Sequence, residues 1–278
     1  MKKYAIAIIV TVFILVDLCV ILYPTVSDYM NSKSQSRAVA HYIDEVAVMD
    51  DEEMNSMLQA AHTYNADLLS KTERFDFTDE ETAEYKRQLA ANRSTIGVLV
   101  IDAIDVKLAI YQGTDEGILQ VGLGHVQGTS LPVGGVGTHA FITGHRGLPS
   151  SKLLTDLDKL VIGDTFVLHV MGETLTYQVD EIKTVEPDDV GSTAIDPEMD
   201  YCTLLTCTPY GVNTHRLLVR GHRVENSAGV VWETLHANAT WLDPLSIIMI
   251  CVILVLPGLI IYFTVKCIKL RKEGAVQL

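Results

Sequence analysis

Residues 203–223 read Thr-Leu-Leu-Thr-Cys-Thr-Pro-Tyr-Gly-Val-Asn-Thr-His-Arg-Leu-Leu-Val-Arg-Gly-His-Arg. This stretch puts Cys207 at the end of an apolar β-type run, a turn after it, and arginines on a second β-type run. A thiol attacks an amide as its thiolate and needs a base or cation nearby. A guanidinium on the neighbouring strand can meet the charge that then develops. A proton-transferring histidine would complete the set required for acyl transfer. His145 is the candidate, in Ile142-Thr-Gly-His-Arg-Gly-Leu-Pro149, where an apolar strand runs into glycines and leaves the imidazole at a strand end. Parity leaves the arginine open, because Arg216, Leu218 and Arg220 share one face of a strand.

Other chemistries find less support. The chain has no Cys-x-x-Cys, and its histidines lack close ligand pairs with a matching cysteine pattern, so no metal site is expected. Neither a phosphate loop nor a Gly-x-Ser-x-Gly elbow is present. Cys19, Cys251 and Cys267 lie in or beside apolar terminal segments, leaving Cys202 and Cys207 between them. Five residues apart on a strand, these two would stand roughly 16 Å apart and face opposite sides, too far to bridge. Cys202 is expected in the core and Cys207 as a reactive thiol.

The elements that must position these groups lie between two apolar segments. Residues 4–23 are apolar except for Asp17 and follow Lys2 and Lys3; residues 244–265 carry no charge and precede Lys266, Lys269, Arg271 and Lys272. About 20 apolar residues span a bilayer core, and basic flanks stay on the cytoplasmic side. Both segments are expected to span the cell membrane, with both termini cytoplasmic and the middle of the chain outside. The first is longer than an ordinary signal core and lacks a small-x-small cleavage site, so it reads as an uncleaved anchor. Residues 24–243 hold 33 Asp+Glu against 15 Lys+Arg, which argues against a nucleic-acid partner.

Residues 34–92 are predicted helical, since Met54, Leu58, Ala61 and Leu68 recur near helical spacing and strong helix formers fill 80–91. The polar stretch 71–79 reads as a connector. From residue 96 the texture changes to short runs rich in branched residues, at 97–102, 106–111, 165–170, 174–179, 201–207 and 217–219. Gly-rich turns between them predict a closed or nearly closed β-barrel. A short helix is expected within 152–160.

Together, Thr-Leu-Leu-Thr-Cys207, Thr-Gly-His145 and Asn-Thr-His-Arg216-Leu-Leu-Val-Arg-Gly resemble the sortases, and more narrowly class C, the pilin-polymerising sortases of Gram-positive bacteria. The resemblance runs from about residue 96 to residue 223. It includes Gly124-His-Val-Gln-Gly-Thr-Ser-Leu-Pro-Val-Gly-Gly135, Leu154-Thr-Asp-Leu-Asp158 and Val185-Glu-Pro-Asp-Asp189. It implies a mainly β protein: an eight-stranded sortase-type barrel with short helices, preceded by a helical and lid region and flanked by two transmembrane helices. The expected division is an anchor with its cytoplasmic tip (1–23), a pre-barrel region (24–95), the barrel (96–225) and a linker (226–243). A second span (244–265) and a basic tail (266–278) follow.

The resemblance also implies roles. Cys207 would be the nucleophile, His145 the general acid and base, and Arg216 rather than Arg220 the group that stabilises oxyanion and substrate. Thr206 would support them. The implied reaction cleaves an LPXTG-like sorting signal between Thr and Gly through a thioacyl-enzyme and passes the acyl group to a pilin lysine amine. The alternative acceptor is an amine of a cell-wall precursor. A non-catalytic, membrane-tethered binding protein would leave the three residues together only by coincidence. No metal or organic cofactor is implied. Family lids commonly carry Asp-Pro-aromatic; residues 24–95 contain none, and Asp76 and Phe77 occupy a plausible lid position without the proline.

Overall fold

The computed structural model describes residues 2–89, 95–189 and 191–226, together with 258, 262, 265 and 266 singly. The chain forms two compact units, Met1–Met30 with Thr240–Leu278, and Asn31–Ala239. In the first unit the described residues from Lys2 to Met30 are helical and form the opening part of α1 (Lys2–Ala47). Among the described residues no helix is long and apolar enough to cross a membrane. The expected flanking transmembrane helices are therefore not part of the described fold. Residues 227–243 and nearly all of 244–278 lie outside the described residues, as do several side chains of 4–23.

In the second unit, the predicted helical region breaks into three pieces: the end of α1, α2 (Asp51–Ser70) and α3 (Asp79–Arg87). α2 starts where the Asp50 carboxylate accepts the Glu53 N–H at 2.7 Å, with Asp51, Glu52 and Glu53 placed where the helix dipole favours negative charge. α3 starts with a capping box, Thr78 and Glu81 each satisfying the other's backbone. From the expected apolar stripe, Ala61 and Leu68 are buried and Met54 and Leu58 pack against the core. Polar anchors fix the helices to the barrel. The Tyr42 hydroxyl donates to the Ile96 carbonyl (3.1 Å) and accepts the Met171 N–H (2.9 Å). Buried Asn65 exchanges two hydrogen bonds with the Leu131 backbone, at 3.1 and 2.7 Å.

Eight strands close the barrel: β1 (Thr95–Ile101), β2 (Val106–Gln112), β3 (Leu123–His125), β4 (Thr138–Thr143), β5 (Thr165–Val170), β6 (Glu173–Val185), β7 (Asp200–Thr208) and β8 (His215–Val224). Around the barrel they run β1-β2-β3-β4-β7-β8-β6-β5. The β2–β3 and β4–β7 pairs are parallel and the others antiparallel. Every run predicted from branched residues is a strand, and β6 and β8 extend well beyond their apolar centres. β3 was not among the predicted strands, because three residues are too few to show a period. The expected helix within 152–160 is a single 3₁₀ turn, Leu157–Lys159. Along β7 alternate side chains line the barrel: Cys202, Leu204 and Thr206 are fully buried, next to Leu217 and Val219 of β8.

Candidate active site

Cys207 is the second-last residue of β7, on the strand face opposite Cys202, as the pleat requires. Cys202 is completely buried, and that burial pushes its thiol far above the ordinary range, so it is inert packing. The antiparallel β7–β8 ladder sets Cys207 directly against Arg216, and Thr203 against Arg220. Directly opposed residues project to the same face with Cβ atoms about 5 Å apart. The arginine left open by parity is thus separated by register.

The two guanidinium groups have different surroundings. Arg216 Nη1 donates to the carbonyls of Asn213 (3.3 Å) and His215 (3.1 Å), and among the described residues no carboxylate pairs with it. Arg220 is engaged elsewhere. It meets Asp180 through two nitrogens (3.0 and 3.2 Å) and Glu181 at 3.2 Å, and its head lies 4.3 Å from the Tyr201 ring centre.

His145 follows β4 by two residues. β4 runs parallel to β7 with Thr143 beside Leu205. The ladder continues past the strand end, where the Gly144 N–H donates to the Leu205 carbonyl (3.1 Å) and the Thr206 hydroxyl to the Gly144 carbonyl (2.7 Å). Continued past the strand end, this register carries the chain with His145 to the end of β7 that holds Cys207. Glycine at 144 lets Leu123 and Leu154 pack close, since a Cβ there would lie 2.6 Å from Leu123 and 3.1 Å from Leu154 and both side chains would have to shift. Thr206, expected as a supporting group at the oxyanion, faces the barrel interior and spends its hydroxyl on Gly144. Its side chain fastens the histidine-bearing strand end and does not reach the face that carries the thiol.

Sequence reasoning missed two charged neighbours. Glu116, the first residue of α4 (Glu116–Leu119), has its carboxylate 3.6 Å from His145 Nε2. Arg146, buried next to the histidine, donates to the Thr208 hydroxyl (3.3 Å) and pairs with Asp158, tying the end of β7 to the 3₁₀ turn. Glu116 stands on a four-residue helix and Arg146 on irregular chain, and neither carries a local pattern.

The remaining histidines are accounted for differently. His125, His139 and His169 are buried, and desolvation lowers each to about 4, so they are neutral. His125 Nε2 donates to the Ser130 carbonyl (2.8 Å), with Nδ1 2.9 Å from the Tyr85 hydroxyl. His139 Nδ1 donates to the Ala194 carbonyl and Nε2 accepts the Thr203 hydroxyl, both at 2.8 Å. His215 and His222 sit beside Glu186 (3.3 Å) and Asp180 (3.7 Å), and His41 lies 3.8 Å from Glu45. His62 is exposed and His236 lies outside the described residues. Among the described residues no group of three or more His, Cys, Asp or Glu is placed to hold a metal ion.

The proposed lid residues fall in the connector between α2 and α3. Its fixed points come slightly earlier: Arg74 donates to the carbonyls of Gly128 (3.2 Å) and Thr193 (3.0 Å), and the Phe75 ring packs on Gly128. Phe77 is half-buried and Asp76 exposed, with no hydrogen bond or ion pair to Asp76 among the described residues.

Comparison with known proteins agrees with the barrel fold. The family model described as the Sortase domain matches residues 99–224. The chain is similar to the crystal structure of sortase C1 from Streptococcus agalactiae, with 47% identity and a TM-score of 0.67, over 69% of this chain and 100% of that one. Sortase C from Streptococcus pneumoniae matches with 44% identity and a TM-score of 0.63, over 70% of this chain and all of that one. Sortase D from Bacillus subtilis is 28% identical over 131 residues, 46% of this chain. That match spans 63% of the length of the Bacillus protein.

Proposed function

The chain belongs to class C of the sortases, a family of cysteine transpeptidases, and from that premise we propose that it cleaves an LPXTG-like sorting signal between Thr and Gly and joins the acyl group to a pilin lysine. The observation that carries this reading is the register of β4, β7 and β8: Cys207 lies directly opposite Arg216, and the parallel β4–β7 pairing with the Gly144–Leu205 hydrogen bond delivers the chain carrying His145 to the same end of β7. The Cys207 thiolate attacks the threonine carbonyl carbon; a C–S bond forms and the oxygen becomes negative, stabilised by the Arg216 guanidinium. His145 gives its proton to the glycine nitrogen as the C–N bond breaks, leaving a thioester and a free amine. A lysine amine then attacks the thioester. The new C–N bond forms, the C–S bond breaks, the surplus amine proton passes to His145, and the thiolate is restored.

A cell-wall precursor amine is the other acceptor open to this chemistry. The protein lysine is favoured by the similarity to S. pneumoniae sortase C, which has been described in terms of its pilin substrate specificity. We also place the catalytic unit on the outer face of the cell membrane, held by residues 4–23 and 244–265 with both termini cytoplasmic. The support is the apolar length and basic flanks of those segments in the sequence. Protease added to intact cells should then remove the barrel and spare both termini.

The reaction is tested by mixing the full chain with its candidate pilin. Wild type should build SDS-resistant ladders and Cys207→Ala none; ladders from the variant would sink the mechanism.

A further inference from the structure

We propose that Glu116 is a positioning residue for the acid–base group: its carboxylate accepts the Nε2–H of His145 and leaves Nδ1 as the nitrogen that moves protons. This rests on the reading of His145 as the acid and base of the reaction above.

His145 Nε2 is covered and has no hydrogen-bond partner among the described residues, while the Glu116 carboxylate stands 3.6 Å away. A covered N–H without an acceptor is costly, and a covered nitrogen cannot exchange protons with a substrate. Nδ1 is left for that task. The separation is slightly beyond hydrogen-bond length, and such contacts around catalytic groups commonly tighten when substrate binds. A base held by a third group is also the arrangement that thiol and hydroxyl nucleophiles generally use.

The carboxylate is itself held. Gln120 Nε2 donates to the same Glu116 oxygen at 2.7 Å. The segment leading into α4 is fixed from two sides. The Gly113 N–H donates to the Tyr85 hydroxyl of α3 at 2.9 Å. On β3, Gly124 lets the segment lie flat, since a Cβ there would come within 2.4 Å of the Gly113 carbonyl and 3.1 Å of Leu119. β3 pairs with β4, the strand that delivers His145. Through Tyr85, the helical region ahead of the barrel therefore sets the position of the group that orients the imidazole.

The test uses the full chain in detergent, ¹⁵N-labelled at histidine, with a fluorogenic Leu-Pro-Glu-Thr-Gly peptide as probe. Wild type should show a downfield, slowly exchanging His145 Nε2–H proton. Glu116→Ala should lose that signal and lower kcat about fivefold, the scale of an exposed ion pair, with KM unchanged. Glu116→Gln, whose amide oxygen still accepts, should keep the signal and recover part of kcat. An alanine variant with the wild-type signal and kcat overturns the proposal, as does a fall in KM alone. If the wild type never cleaves the peptide, the proposed reaction fails, while the proton signal still tests the Glu116 contact by itself.

Discussion

Arg216 and Arg220 stand on one face of β8, and truncating them should damage the protein in different ways. Among the described residues Arg216 bonds to backbone carbonyls and pairs with no carboxylate, so its charge remains available for a developing oxyanion. Arg216→Ala should lower kcat/KM by about 10²–10³, the usual cost of losing an oxyanion donor, with little change in unfolding. Arg220 holds two carboxylates and covers Tyr201. Arg220→Ala should instead cost about 1 kcal/mol of stability, since the group is partly exposed and the ion pairs are screened. Steady-state kinetics and urea unfolding on the same two variants decide the matter. If Arg220→Ala loses the activity and Arg216→Ala the stability, the assignment is reversed.

Between residue and fold stands the 71–78 connector, which carries Asp76 and Phe77, the residues expected of a lid. Arg74 links the Gly128 turn to Thr193 in the chain between β6 and β7. His139 holds the neighbouring Ala194 carbonyl from the barrel side. Loop and connector are thereby fixed together. Arg74→Ala removes two hydrogen bonds from a charged donor, and this should speed labelling of Cys207 by a thiol reagent about fivefold. Asp76→Ala, which removes no bond, should label at the wild-type rate. A faster rate for Asp76→Ala than for Arg74→Ala would move the control point back to Asp76 and Phe77.

Over the whole molecule, the buried histidines set an acid limit. His125, His139 and His169 are each lowered by desolvation from 6.5 to about 4. The unfolded chain takes up protons below pH 6.5 that the fold refuses until about pH 4. The stability they provide is therefore full above pH 6.5 and is lost as pH falls towards 4, by up to about 3 kcal/mol for each histidine. Asp200, raised chiefly by desolvation, works in the opposite sense, because acid relieves its buried charge. With three histidines against one carboxyl, the melting temperature should drop steeply between pH 6.5 and 4.5. A flat profile across that range would contradict the neutral, buried histidines.

Much of this protein is written locally in its chain. The strands show in runs of branched residues and the helices in a 3.6-residue spacing, because both periods act over a few neighbours. The pleat alone set Cys202 and Cys207 on opposite faces, so one thiol is core and the other is half-exposed. Other features depend on which strands become neighbours. His145 lies sixty-two residues before Cys207 and meets it only because β4 and β7 run side by side and parallel. Arg216 and Arg220 are alike in type and parity, and a four-residue difference in register separates them. The fold turned Thr206 from the thiol to the Gly144 carbonyl. It also brought Glu116 and Arg146 to the site, two charged residues with no periodic signal. Barrel closure is a non-local event, and it alone fixes which side chains become neighbours.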